Sequence, residues 1–523
     1  MPGGIAQYFT GTDYLLALPI TLLTLFAIGI LLIDLMLPAE WKWANAATAL
    51  AGVAFAATGV GHIQTFFQSH NLTMQPAFMG AMLVDRVAIY FFYLFLAGTA
   101  VAILMSVRYL EVEHENHGEY YALLLFSVVG MMCMASGLDV VLIFIGLELM
   151  AISTYVLVGF LRRDKRSNEA ALKYMLLGAF SSGIFAYGLS LFYGITGSTN
   201  LVSMGLSLQR RIQANHGHFD PIMVVALLTT ATGLFFKIAA IPFHQWAPDA
   251  YEGAPTSVTG FMSVSVKAAA WAMLLRVFGY PLFYGGLVYH PGLMALRPIY
   301  VPIVVFVSIA TMTGANFAAL TQNNLKRLLA YSSIAHVGYM LLGLVAGTPE
   351  NLSENGVKGI LVYLLVYTFM NLGAFAVITS LRHRKVIGDE IDDIAGLYER
   401  APIEAVLMLV FLLSLAGIPP LAGFYGKYFI FLSLIESGHY VLASLGVLYS
   451  VFGLYYYLRV ANAMFMRRSL EKERLPLSPA MGLALLVTAA ATVVIGLFPN
   501  SMIATVDRVL GLIPASPVAH LVR

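Results

Sequence analysis

Charge is scarce in this chain. Only 11% of its 523 residues are Asp, Glu, Lys or Arg, against about 25% in an ordinary soluble domain. Cysteine is nearly absent: Cys133 is the single example. An internal disulfide is therefore excluded, and so is an iron–sulfur cluster, which needs about four ligands. Cys133 lies in an apolar run and reads as a small core hydrophobe. Missing too are the glycine-rich signatures of dinucleotide and P-loop sites, so no nucleotide pocket is expected. The net charge of +2 offers no field to gather nucleic acid. No basic stretch precedes the first apolar run, so a cleaved signal peptide is not expected. What remains is apolar: 59% hydrophobic residues and a mean hydropathy of +0.82. This is the composition of a polytopic membrane protein.

A span needs about 20 apolar residues, and the chain holds about 14 such stretches. They fall near 13–36, 44–67, 80–106, 119–136, 138–160, 168–194, 221–240, 256–280, 299–319, 325–346, 357–381, 402–435, 438–465 and 478–497. The seventh and twelfth are interrupted. Pro242 breaks the seventh, and Pro419 and Pro420 divide the twelfth into two half-helices. Proline removes a backbone donor and collides with the preceding turn.

With the N-terminus placed outside, the inner loops hold Lys42, Arg108, Arg162, Arg163, Lys165, Arg166, Lys326, Arg327, Arg382, Arg384, Lys385, Arg400, Arg467, Arg468, Lys472 and Arg474. The outer side holds Arg210, Arg211, Arg297, Lys358, Arg508 and Arg523. The positive-inside rule then puts both termini outside. Spans four to eight and nine to thirteen each carry their break in fourth place, with Ala240-Ile241-Pro242 answering Gly417-Ile418-Pro419. Five is an odd number, so two such units run in opposite senses, which is an inverted repeat. The expected architecture is all-α: a three-helix segment over 1–118, a five-helix unit over 119–280, a second over 299–465, and a helix and tail over 466–523.

One carboxylate and four lysines are expected deep in the membrane. Glu148 lies roughly 20 Å from the inner edge, Lys173 about 10 Å in and Lys267 about 16 Å in. Lys237 closes the apolar run before the first break, and Lys427 sits about two turns past the second. Intramembrane charge is costly and marks ion pathways by default. Buried ion pairs fixing helix contacts are the competing reading, but four lysines and one carboxylate do not pair off. Lysine can release its proton when desolvated, whereas arginine stays charged. A broken helix also frees backbone groups that water can satisfy. These features point to a proton path.

Other polar residues carry less. His336 lies within span ten near Tyr331, Ser332 and Ser333, either as a relay member or as a histidine bonded to a neighbouring helix. Asp34, Asp85 and Arg86 stand near helix ends, where snorkelling suffices. Lys326 and Arg327 read as anchors at an inner helix end, and the many Tyr and Phe residues as packing and interface residues. The loop over 111–119, with His114 and His117, reads as solvated because tight ligand spacing is missing. The segment 196–220 reads as a long connection. The segment 382–400 mixes both signs of charge and reads as facing a partner subunit or water.

At these residues a resemblance enters. GLELMAISTYVLVGF, KIAAIPFHQWAPDAYEGAPTSVTGFMSVSVKAAAWAMLLRVF, KRLLAYSSIAHVGYMLLG and DDIAGLYERAPIEAVLMLVFLLSLAGIPPLAGFYGKYFIF resemble the antiporter-like membrane subunit N family of bacterial respiratory complex I. The likeness runs over roughly 80–470. It implies proton translocation in the inner membrane, coupled to quinone reduction elsewhere. It also implies sibling antiporter-like subunits and small membrane subunits as neighbours. NADH, flavin, clusters and quinone would then belong to partner subunits, with no cofactor and no metal in this chain. Residue by residue, Glu148 and Lys237 correspond to the family's carboxylate–lysine pair, Lys173 and Lys267 to its connecting lysines, and Lys427 to the lysine of the second half-channel. His336 falls on the histidine-bearing helix between them. A subunit of a multi-subunit sodium/proton antiporter is the alternative, and a scaffold bundle that moves no ion is a third.

Overall fold

The computed structural model describes residues 9–278, 282–284, 287–289, 293–347, 353–382, 388–468 and 477–511. Arg384, Lys385, Lys472, Arg474 and Arg523, counted above for orientation, lie outside the described residues.

Among the described residues, thirteen helices are long and apolar enough to cross a membrane. In chain order they begin with α1 (Gly11–Asp34), α2 (Trp43–Ser69), α3 (Arg86–Val112), α4 (Gly118–Ser136), α5 (Val140–Val158) and α6 (Lys165–Thr196). The short α7 (Leu201–Ala214) follows, then α8 (Pro221–Ile238), the eight-residue α9 (Trp246–Gly253), and a span made of α10 (Thr256–Phe261), a π-helical turn and α11 (Lys267–Phe278). Next come α12 (Arg297–Leu320), α13 (Leu325–Val345) and α14 (Glu354–Leu381). The short α15 (Leu397–Arg400) leads to the half-helices α16 (Pro402–Ala416) and α17 (Ala422–Glu436), which together make the twelfth expected span. α18 (Tyr440–Met466), α19 (Pro479–Leu497) and α20 (Pro499–Leu510) complete the order. Two strands, β1 (Met74–Ala77) and β2 (Met82–Asp85), form a small hairpin before α3.

Burial grades across the bundle. The α10–α11 span, α13 and α14 are enclosed by protein on nearly all sides, while α1, α18 and α19 keep most of their surface outward. Helices apolar all round belong in the interior of such a bundle. The central ones carry Lys267, Arg276, Lys326, His336 and Lys358, which need partners that lipid cannot supply.

The segments between spans hold more structure than the sequence suggested. The 196–220 connection contains α7, whose Asn200 side chain accepts from the amides of Val202 and Ser203 as an N-cap. Leu201, Met204 and Leu208 form its buried stripe. The described part of 382–400 folds onto this chain's own helices: the Leu325 amide donates to the Asp389 carbonyl, and the Ile391 amide to that of Asn323. Ile391, Ile394 and Leu397 are buried against those helices, while Glu390, Asp392, Asp393, Tyr398 and Glu399 stay exposed.

Several charges read as helix-end anchors are paired instead. Asp34 accepts from Lys42 at 2.6 Å and from Asn45, tying α1 to α2. Asp85 is buried, caps the Ala88 amide, and forms a two-pronged ion pair with the buried Arg276 of α11. Arg297 is buried and donates to the carbonyls of Leu344, Val345 and Ala346 at the end of α13. Lys358 pairs with Asp507 of α20 at 2.6 Å. Lys326 is 1% exposed and donates to the Ala254 carbonyl, so it is no interfacial anchor. Arg400 is buried as well. Lys326 and Arg400 from the inner side of the orientation count, and Arg297 and Lys358 from the outer side, are thus buried in the bundle.

Candidate functional site

Each break is built from its own helix end. α8 stops at Ala239, which adopts a left-handed backbone with φ 60° and ψ 42°, its amide and that of Ala240 closing on the Phe236 and Phe235 carbonyls. For alanine that conformation costs about 1–2 kcal/mol, a strain found where surrounding structure enforces it. The Ile241 amide donates to Thr311 Oγ1 at 3.0 Å, which docks the break on α12. α16 stops at Gly417, also left-handed with φ 87°. Beyond it, Gly423 passes so close to the Ser414 carbonyl that a Cβ would lie 1.8 Å from its oxygen. Glycine is therefore required at both positions.

Three lysines are buried here. Lys237 (4% exposed) lies in the last turn of α8, with Nζ 3.4 Å from the Tyr155 hydroxyl and 5.7 Å from that ring's centre. Lys267 (3% exposed) donates to Ser333 and lies 5.9 Å from the Tyr251 ring centre. Lys427 (7% exposed) reaches back from α17 to the Ala416 carbonyl at 2.8 Å, with the Tyr339 ring 5.1 Å away. Among the described residues, none of the three forms an ion pair within 4.0 Å. Aromatic faces and helix C-terminal carbonyls supply the negative charge instead.

Lys267 directly follows a π-helical turn, Met262–Val266. Such turns widen the helix by one residue and recur at functional positions. Sequence reading missed this, for neither glycine nor proline interrupts Met262–Val266.

His336 joins the string. Its Nδ1 lies 2.5 Å from the Tyr363 hydroxyl and its Nε2 3.2 Å from that of Tyr457, which in turn meets Ser332. The Tyr339 ring stands 6.0 Å from the histidine ring. Ser332 and Ser333 thus connect Lys267 towards the histidine, and Tyr339 lies between the histidine and Lys427. Tyr155, Tyr251, Tyr363 and Tyr457 were read as ordinary packing residues. Their hydroxyls and faces line the lysines and the histidine.

Two sequence-predicted residues sit differently from expectation. Glu148 is half-buried on the outward stripe of α5 with Ile145 and Ile152, and its Oε1 is buried without a partner. It is near enough to act on Lys237 electrostatically but makes no ion pair with it. Lys173 is not enclosed: its side chain is 46% exposed and pairs with Glu169 at 2.8 Å and Asp249 at 2.9 Å. α6 presents that face outward, alongside the exposed Leu172, Leu176 and Phe180.

A multi-pass helical bundle with two broken helices and a lysine at each break defines an antiporter-like membrane subunit. A family model described as NADH:quinone oxidoreductase/Mrp antiporter, transmembrane, matches residues 137–453. A relative from Koribacter versatilis named NADH-quinone oxidoreductase subunit N 1 is 62% identical, covering 98% of each chain. The chain belongs to the NADH-quinone oxidoreductase subunit N family. Among solved structures, a chain of respiratory complex I from Thermus thermophilus with bound aureothin is 31% identical at a TM-score of 0.74, over 93% of this chain and 98% of that one. A chain of the Mrp complex from a Dietzia species shares the fold at a TM-score of 0.80 and 18% identity, over 96% and 97%.

Proposed function

We propose that this chain is a proton-translocating membrane subunit of NADH:quinone oxidoreductase, neighbouring the other membrane subunits of that complex. The observation that carries the reading is the string of Lys237, Lys267, His336 and Lys427, buried on four helices and lined by hydroxyls. Lys237 and Lys267 face hydroxyls that can turn from acceptor to donor when the amine is neutral, and a neutral Lys427 amine can still donate to the Ala416 carbonyl. A proton can therefore leave one lysine and the site keep its hydrogen bonds.

Protons enter from the cytoplasmic side near Lys237, cross through Lys267 and His336, and leave past Lys427. Glu148, on the flank, shifts the balance at Lys237 through its field, and Lys173 acts at the same flank. Pro242, Pro419 and Pro420 make the breaks that admit water. The units 119–280 and 299–465 form the two half-channels, flanked by 1–118 and 466–523. Both termini face the periplasm. NADH, FMN, iron–sulfur clusters and quinone reside in partner subunits, and the redox energy arrives through the neighbouring membrane chains.

The test is NADH-driven proton uptake by inverted membrane vesicles carrying the whole complex. Lys427→Ala and Glu148→Ala assemble, and their vesicles lose coupled proton uptake. Normal proton-to-electron ratios in both variants would overturn the reading.

A further inference from the structure

We infer that Asp249 is a positioning residue that sets the placement of Lys237 and Lys267 together, through the short helix α9 on which it rides. This rests on the proton-path reading above and adds to it a residue outside the buried string.

Asp249 is shared by two cations from different spans. Oδ2 accepts from Lys173 of α6 at 2.9 Å, and Oδ1 from Arg327 of α13 at 2.7 Å. Arg327 also binds Glu252, one turn further along α9, at 2.8 Å. Lys173 also holds Glu169 at 2.8 Å. The end of α9 is fastened a third time, by Lys326 donating to the Ala254 carbonyl at 2.7 Å. The cluster is part-exposed, with side-chain exposures of 31% at Asp249 and 28% at Arg327.

The other side of α9 touches both buried lysines' surroundings. Trp246 Nε1 donates at 2.9 Å to the carbonyl of Phe236, the residue before Lys237. The Trp246 indole stacks on Tyr174 at 4.5 Å, and Tyr174 meets edge-on the Tyr155 ring that faces Lys237. Tyr251 presents its ring to Lys267. An eight-residue helix is too short to hold itself in place, so its pose is set by what grips its ends. Burial of Trp246, Ala247, Ala250 and Tyr251 holds one face, the grip on the other is ionic, and the strength of that grip depends on charge at the α6 flank. A change of charge there moves α9 and with it the acceptors around two lysines.

The test uses the whole complex in its native membrane, with assembly followed on native gels and proton uptake counted per NADH oxidised. Asp249→Asn assembles and lowers the proton yield roughly five-fold or more, the range usual for coupling between linked sites. Asp249→Glu, which restores the charge, recovers most of it. A loss that is only structural would lower assembled complex and leave the yield per electron unchanged, and that result overturns the inference. If Asp249→Asn fails to assemble, Arg327→Gln decides, because the Lys173 grip remains and Arg327 has no part in the buried string. A normal proton yield in that variant overturns the inference too. Lys427→Ala separates the two claims. If it abolishes uptake while Asp249→Asn pumps normally, only the role of Asp249 falls. If Lys427→Ala and Glu148→Ala both pump normally, the proton path itself falls.

Discussion

The two breaks solve one problem from opposite directions. In α8 the lysine precedes the break, and Lys237 occupies the last turn of the helix that ends there. In α16 and α17 the lysine follows the break, and Lys427 folds back to the Ala416 carbonyl that ends the preceding helix. Either way the lysine belongs to the C-terminal end of a half-helix, Lys237 by its place in the last turn and Lys427 by contact, where the summed peptide dipoles leave about half a negative charge. Sequence position differs while electrostatic position agrees. The lesson is that each break sets a lysine at a helix end, where a cation is favoured.

The surroundings differ more. The first break leads into a second short helix, α9, pinned by ion pairs to α6 and α13. The second leads straight into a fifteen-residue half-helix packed on α14, and among the described residues it has no comparable ion-pair cluster. The first half therefore carries the ion-paired element.

The largest expected effect separates chemistry from charge. Lys237→Arg and Lys427→Arg each keep the cation but cannot release its proton, and each abolishes proton uptake by vesicles. Uptake surviving in the Lys427 variant alone would show that the second lysine stabilises without relaying. Next is His336→Phe, which removes the ring that holds Tyr363 and Tyr457. It lowers coupled uptake by about ten-fold or more, in the range of a lost proton-transfer group, measured against unchanged assembly.

The caps yield a smaller, signed contrast. Gly417→Ala places a Cβ 2.9 Å from the Lys427 side chain on a left-handed backbone, and costs about 1–2 kcal/mol or more. Ala239→Gly removes strain of the same kind and is neutral or stabilising by up to about 1 kcal/mol. Thermal unfolding of the solubilised complex, followed by loss of this subunit, checks both signs. Smallest is Trp246→Phe, which deletes one buried hydrogen bond worth about 1 kcal/mol. It lowers that unfolding temperature slightly and, because it loosens α9 from Phe236, lowers proton uptake by less than Asp249→Asn does.

Much of this was legible beforehand. Runs of apolar residues set the spans, because lipid leaves a backbone no other way to satisfy its polar groups than a helix. Pro242 and the Gly417–Pro420 stretch announced the breaks, and isolated lysines in apolar runs announced themselves. The pairing of charges was not legible. Asp85 with Arg276, and Lys358 with Asp507, join residues 191 and 149 positions apart, and pattern within one helix holds no trace of such a partner. Nor did Lys173 reveal its outward direction, since depth along a helix says nothing of which neighbour shares its face.

The sequence alone determined the medium, the helices and the places where those helices stop, because each depends on residues adjacent in the chain. Only the tertiary structure decided which tyrosine faces which lysine, that a π-turn precedes Lys267, and that Glu148 stands near Lys237 without binding it. Those depend on the rotation of one helix about its axis against another. That rotation is set by packing summed over whole faces, and a string of letters does not carry it.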